Sequence, residues 1–322
     1  MARIVCKWEV HVLLFFLLAC NQAGESQRFI ASAQKSEKEG QPEVAADLYH
    51  KAAHLAPSDF DIQFRTAVLY LKLDNLKDSE EHFKQALSLR PDVGPAHLNL
   101  GVLFLRRGNK EEARKELLEA LRLDPRLTKA YYNLGLVELN ESRLDEAETL
   151  FKKAVSIDPG HQPSYVRLGT VYVRQKRFSS ALEVLEQALK LDPNDSSVYF
   201  DLGVAYEGLG KNEQSLGAFT KAVELNPANA RAHYNLGTLL LKMADYQKAV
   251  SSLREAIKIN PQFADAFYNL AAAYARLGDK GNAVKELKKA IELNTSLAAE
   301  AEKDEDFKSL HSDPEFLEIT RQ

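Results

Sequence analysis

Residues 130–159 read AYYNLGLVELNESRLDEAETLFKKAVSIDP, and this stretch decides the fold. Apolar residues recur at the three- and four-residue spacing of a helix face in each half, and a proline closes the second half. The phrase is one copy of a repeat. Pro57, Pro91, Pro125, Pro159, Pro193, Pro227 and Pro261 stand 34 residues apart throughout. A fixed period of this length is the mark of stacked supersecondary units rather than of globular domains.

With each of these prolines placed at position 32 of its unit, the other fixed residues fall into register. Position 8 is Gly101, Gly135, Gly169, Gly203 and Gly237; position 7 is Leu100, Leu134, Leu168, Leu202, Leu236 and Leu270. Position 27 is alanine in all eight units, from Ala52 to Ala290, and position 20 is Ala45, Ala113, Ala147, Ala181, Ala249 and Ala283. Positions 4, 7, 8 and 11 are expected to form the apolar face of a first helix, and 20, 24, 27 and 28 the facing stripe of a second. The small residues at 8, 20 and 27 remove bulk where two helices approach. Proline at 32 lacks a donor and ends the second helix, and Asp124, Asp158, Asp192, Asn226 and Asn260 just ahead of it suit a turn. Pro42, Pro95 and Pro163 fall in first helical turns, where proline is tolerated.

This pattern resembles the tetratricopeptide-repeat (TPR) family over residues 26–297. The units are 26–59, 60–93, 94–127, 128–161, 162–195, 196–229, 230–263 and 264–297. The resemblance implies an all-α fold, a right-handed α-solenoid of eight helix-turn-helix repeats. Neighbouring units must stack to bury both faces, so the ends should differ. Ser32 and Ala33 replace Leu and Gly in the first repeat, and Ala271 and Thr295 replace Gly and Pro in the last. Residues 298–322 carry Phe307, Leu310, Phe316, Leu317 and Ile319, the stripe of a C-terminal capping helix pair, with 300–306 as a solvated lead-in.

The chain has 322 residues, with 42 Lys and Arg against 46 Asp and Glu and no basic stretch. That argues against nucleic acid as a partner. The cysteines are Cys6 and Cys20 alone, which excludes a disulfide framework, a thiolate metal site or a cysteine nucleophile in the repeats. Arg3 and Lys7 precede an apolar run at 12–19 that is too short to span a bilayer. Residues 1–25 therefore read as an export signal. Leu17-Leu18-Ala19-Cys20 resembles a bacterial lipobox, which implies lipidation at Cys20 and a membrane anchor; a plain cleaved signal, giving a periplasmic or secreted protein, fits the same run.

No catalytic constellation or cofactor motif is found. His50 and His54 are four apart on one helix face, but HKAAH lacks the glutamate of a zinc protease and any third ligand nearby, so both read as surface histidines. Glu80-Glu81 and Glu111-Glu112 read as first-turn carboxylates complementing helix dipoles.

What remains is the concave face that the TPR resemblance implies, lined by the first helices. Its position 6 reads Ala31, Arg65, Asn99, Asn133, Arg167, Asp201, Asn235, Asn269, and its position 5 includes Phe64, Tyr132, Phe200, Tyr234 and Tyr268. An asparagine amide offers a donor and an acceptor to a peptide backbone, and aromatic neighbours add contact area. The column resembles the asparagine ladder of O-GlcNAc transferase TPR arms, interrupted by Arg65, Arg167 and Asp201. The basic column at position 13 (Lys38, Lys72, Arg106, Arg174, Lys242, Arg276) reads as a solvated edge. A carboxylate clamp of the chaperone-binding kind is excluded, because Leu98, Val102 and Pro163 stand where Lys, Asn and Lys are required. The expected partner is another protein's extended peptide or helix, bound by a non-enzymatic scaffold in envelope assembly, as in TPR lipoproteins that resemble this arrangement. An accessory subunit delivering substrates to a separate enzyme is the alternative.

Overall fold

The computed structural model describes residues 22–321, so the apolar run at 12–19 and Cys20 lie outside the described residues. Among the described residues every regular element is helical, and no helix is long and apolar enough to cross a membrane. The chain divides into two compact units, one ending at Asp158 and one starting at Pro159.

The first unit holds four helix pairs: α1 (22–38) and α2 (Pro42–Leu55), α3 (Phe60–Lys72) and α4 (Leu76–Leu89), α5 (Gly94–Arg106) and α6 (Lys110–Leu123), α7 (Thr128–Asn140) and α8 (Leu144–Ile157). The second holds α9 (Gln162–Arg174) and α10 (Phe178–Leu191), α11 (Ser196–Gly208) and α12 (Asn212–Leu225), α13 (Ala230–Lys242) and α14 (Tyr246–Ile259), α15 (Ala264–Arg276) and α16 (Lys280–Leu293). It closes with α17 (Leu297–Ala301), a 3-10 helix (Glu305–Leu310) and α18 (Pro314–Thr320).

In the five repeats with glycine at position 8 the pair is locked by a large residue at position 24 seated against that glycine, and alanine (Ala33, Ala67, Ala271) stands there in the other three. A Cβ on Gly135 would lie 2.7 Å from the Phe151 ring, one on Gly169 2.3 Å from Leu185, and one on Gly203 2.5 Å from Phe219. The glycine is thus a socket for one side chain. Where position 20 is serine instead of alanine, its hydroxyl finds the backbone of the facing helix: Ser79 donates to Ala67 O and Ser215 to Gly203 O, both at 2.8 Å.

The turn inside each repeat depends on a feature that the sequence reading passed over. Position 15 has positive φ in every repeat: Gly40, Gly108, Gly210 and Gly278 at 71–80°, and Asp74, Ser142, Lys176 and Ala244 at 58–61°. This left-handed residue ends the first helix as a Schellman motif, with Gly108 N–H on Leu105 O (3.0 Å) and Asn109 N–H on Phe104 O (2.9 Å). Four of the eight carry a side chain that opposes that conformation.

The turn between repeats follows the expected chemistry, since Asp124 Oδ1 accepts from Arg126 N–H and Asp192 Oδ1 from Asn194 N–H. In four repeats position 4 departs from the expected apolar face. Gln63, His97, Tyr199 and His233 occupy it and donate to the carbonyls of Pro57, Pro91, Pro193 and Pro227 at 3.0–3.3 Å. The proline that cannot donate is the hydrogen-bond acceptor tying its repeat to the next.

The C-terminal segment buries Phe307, Leu310, Phe316 and Ile319 as a cap. The first member of the expected helix pair is a 3-10 helix rather than an α-helix, and 300–306 is solvated only in part, with Glu300, Glu302, Lys303 and Glu305 exposed. Ala301 is fully buried, and Asp304 and Asp306 bond to Tyr268 and Arg276. Glu111-Glu112 lies in the first turn of α6, but Glu80-Glu81 sits deeper in α4, where Glu80 pairs with Lys84 and Arg107.

Candidate interaction surface

The aromatic residues of position 5 are shared between core and surface. Phe64, Tyr132 and Phe200 place their rings 5.9–6.0 Å from Phe83, Phe151 and Phe219 of their own repeats, and Tyr234 lies 4.7 Å from Phe263. All four are half-buried, so each presents an edge of a ring fixed from behind. Tyr268 leaves the predicted set. It is 6% exposed, its hydroxyl donates to Asp304 at 2.8 Å, and its ring meets Phe307 edge-on. Burial and that carboxylate hold its hydroxyl pKa above the ordinary phenol range. The C-terminal cap covers this member of the position-5 column.

The asparagines of position 6 separate into two kinds. Asn99 donates to Pro95 O on its own helix at 2.8 Å, and Asn269 to Thr238 Oγ1 at 2.9 Å. Asn133 in the first unit and Asn235 in the second are half-buried, and their amides have no hydrogen-bond partner among the described residues. Beside each stands a half-buried tyrosine, Tyr132 or Tyr234.

Arg65 is exposed and reaches Tyr49 of the preceding repeat. Arg167 is exposed in the second unit, in the field of Asp201. That carboxylate is 9% exposed and accepts from Thr170 Oγ1 at 2.6 Å. Burial pushes its pKa up to about 6, against the pull of Thr170, Arg167, Arg174 and Arg231. Arg231 also stands 5.8 Å over the Phe200 ring. The second unit therefore carries a patch on which three cations face one buried anion.

The basic residues of position 13 are all exposed, the solvated edge expected, and two of them also brace the fold. Arg106 donates to Leu71 O at the end of α3 at 2.6 Å, and Arg276 bonds Tyr246 and Asp306. A cation placed on the last carbonyls of a preceding first helix complements its dipole.

His54 is exposed as expected of a surface histidine, but His50 is half-buried and belongs to a cluster. His82, 32 residues from His50, brings its Nε2 to 3.0 Å from His50 Nδ1, while His54 Nε2 lies 3.0 Å from His50 Nε2. His82 is buried, which lowers its pKa to about 4, and burial lowers that of His50 as well. The sequence spacing could not show this third ring, because the stacking of repeats delivers it. His50 turns a different nitrogen to each neighbour, so the three rings do not converge together on one ion. No group of three or more His, Cys, Asp or Glu among the described residues is placed to hold a metal.

The family model of the cilia and flagella-associated protein 70 C-terminal domain matches residues 25–266, and a tetratricopeptide-repeat model matches 240–313. No curated protein matches the chain. Among solved structures, YrrB, a TPR protein with an unusual peptide-binding site, is 28% identical over 57% of this chain and 95% of its own, with TM-score 0.50. PilF of Pseudomonas aeruginosa is 23% identical over 71% of this chain and 96% of its own, with TM-score 0.55. The APC/C hetero-tetramer Cut9–Hcn1 is 18% identical over 83% of this chain and 53% of its own, with TM-score 0.57. The last two share the fold alone.

Proposed function

The chain belongs to the family of the cilia and flagella-associated protein 70 C-terminal domain, a tetratricopeptide-repeat family, and from that premise we propose a non-enzymatic scaffold that holds an extended peptide or helix of another protein. The observation that carries this reading is the pairing of Tyr132 with Asn133 and of Tyr234 with Asn235. Each pair combines a ring fixed by its own core with an amide that bonds to no described residue. A half-buried amide without a partner is a cost unless a ligand or water completes it, and its paired donor and acceptor match a peptide backbone. Rigid aromatic rings beside it supply contact area at low entropic cost. The peptide-binding site of YrrB supports a peptide as the occupant.

The apolar run at 12–19 and the following Cys20 support export, lipid attachment at Cys20 and work at a cell envelope.

The test uses the double variant Asn133→Ala, Asn235→Ala. Capture of the co-purifying partner from the native organism should fall several-fold, while unfolding stability stays within about 1 kcal/mol of wild type. Unchanged capture with unchanged stability overturns the assignment of these residues.

A further inference from the structure

His50, His54 and His82 form a cluster in the first unit with a chemistry of its own. Their proton positions follow from Gln63. Its Nε2 faces Ala53 O at 3.4 Å and Pro57 O at 3.3 Å, two groups that only accept, so Oε1 is the atom 2.6 Å from His82 Nδ1. His82 Nδ1 therefore carries the proton, and its Nε2 keeps a lone pair. That lone pair faces His50 Nδ1 at 3.0 Å, which makes His50 Nδ1 a donor as well. The remaining nitrogen, His50 Nε2, keeps a lone pair and lies 3.0 Å from His54 Nε2.

This is the wiring of an imidazole prepared as a metal ligand, whose second nitrogen donates to a fixed acceptor that sets tautomer and ring orientation. Here the acceptor is a histidine itself held by an oriented amide. His54 is exposed and one turn along α2, free to exchange the proton on its Nε2 for one on Nδ1 through solvent. Two nitrogens bound to zinc at ~2.0–2.1 Å stand about 2.9–3.4 Å apart as their angle opens from a right angle to tetrahedral. The observed separation is 3.0 Å.

We propose that His50 Nε2 and His54 Nε2 chelate a divalent cation of the zinc, nickel and copper group, with water in the remaining positions and with His82 and Gln63 positioning His50. Nitrogen donors suit these ions and disfavour magnesium and calcium, which take oxygen. Asp47, Asp78 and Glu81 act on His50 through their field and add a negative potential around the pair.

Calorimetric titration of the full chain with zinc chloride tests this, with magnesium chloride as control. The wild type should bind one zinc that the exposed-site variant His54→Ala loses or binds at least tenfold more weakly, and Gln63→Ala should weaken the same event by about 10- to 100-fold. Long-range proton–nitrogen spectra of histidine side chains give a second readout. In metal-free protein His50 and His82 should both be Nδ1–H tautomers, and zinc should shift the Nε2 signals of His50 and His54. Equal zinc binding by wild type and His54→Ala overturns the proposal, as does His50 protonated on Nε2 without metal.

Discussion

The two units are built from the same parts and differ in what polar matter they bury. Both use a glycine socket for a large residue, as in Gly135 with Phe151 and Gly169 with Leu185. Both tie repeats through a proline carbonyl, as Gln63 does with Pro57 and His233 with Pro227. The first unit holds a neutral chain, Gln63–His82–His50, in which each imidazole N–H meets an acceptor, and its one strongly buried carboxylate among the described residues, Glu138, is paired directly with Arg114 and Arg143. The second buries a carboxylate, Asp201, with one short hydrogen bond from Thr170 and arginines acting through their field. A satisfied neutral network stabilises and orients its members, whereas a buried charge costs free energy unless fully paired. Removing the central group should therefore have opposite effects in the two units.

The largest expected effect is on the neutral side. His82→Ala leaves Gln63 Oε1 and His50 Nδ1–H without partners and opens a cavity, and should destabilise the first unit by about 3 kcal/mol in denaturant unfolding. A loss below about 1 kcal/mol would mean that the relay is not holding the repeats together.

Asp201→Asn should act in the other direction, stabilising the second unit by about 1–2 kcal/mol at pH 7 while keeping a partner for Thr170. Burial pushes the folded pKa of Asp201 up to about 6, above the ordinary aspartate value of 3.8. Folding therefore favours the protonated acid, whose contribution is full below 3.8 and is lost as pH rises through 6. The advantage of the asparagine variant should shrink as pH falls through this window; an advantage that stayed constant from pH 7 to 4 would show that the carboxylate is not the cause.

The smallest effect probes a feature common to both units. Lys176→Gly and Ala244→Gly relieve left-handed backbone at 58° and 61°, and each should stabilise by about 0.5–1 kcal/mol in the same assay. Asp74→Gly in the first unit should give less, because aspartate tolerates this conformation better than lysine or alanine.

Much of this was legible in the chain. The proline period, the glycine at 8 and the alanine at 27 predicted helix pairs, and the structure shows them because each residue type answers a local steric demand. Position 15 was missed because half its members are not glycine, so composition did not mark the turn. Position 4 was read as apolar, although Gln63, His97, Tyr199 and His233 are there to reach a carbonyl of the preceding repeat. Among the site residues, the sequence placed Tyr268 with Tyr132 and Tyr234, and only the cap distinguishes it. The asparagines look alike in sequence, yet Asn99 and Asn269 are engaged within the fold while Asn133 and Asn235 are not.

By itself the sequence determined the repeat, its two helices and the end of each pair, because these depend on neighbours at spacings of three, four and thirty-four. Tertiary structure decided which polar groups meet across repeats. His82 reaches His50 across 32 residues, and Thr170 reaches Asp201 across 31. Such contacts depend on how one repeat rotates onto the next, a geometry set by packing and not written in any single position.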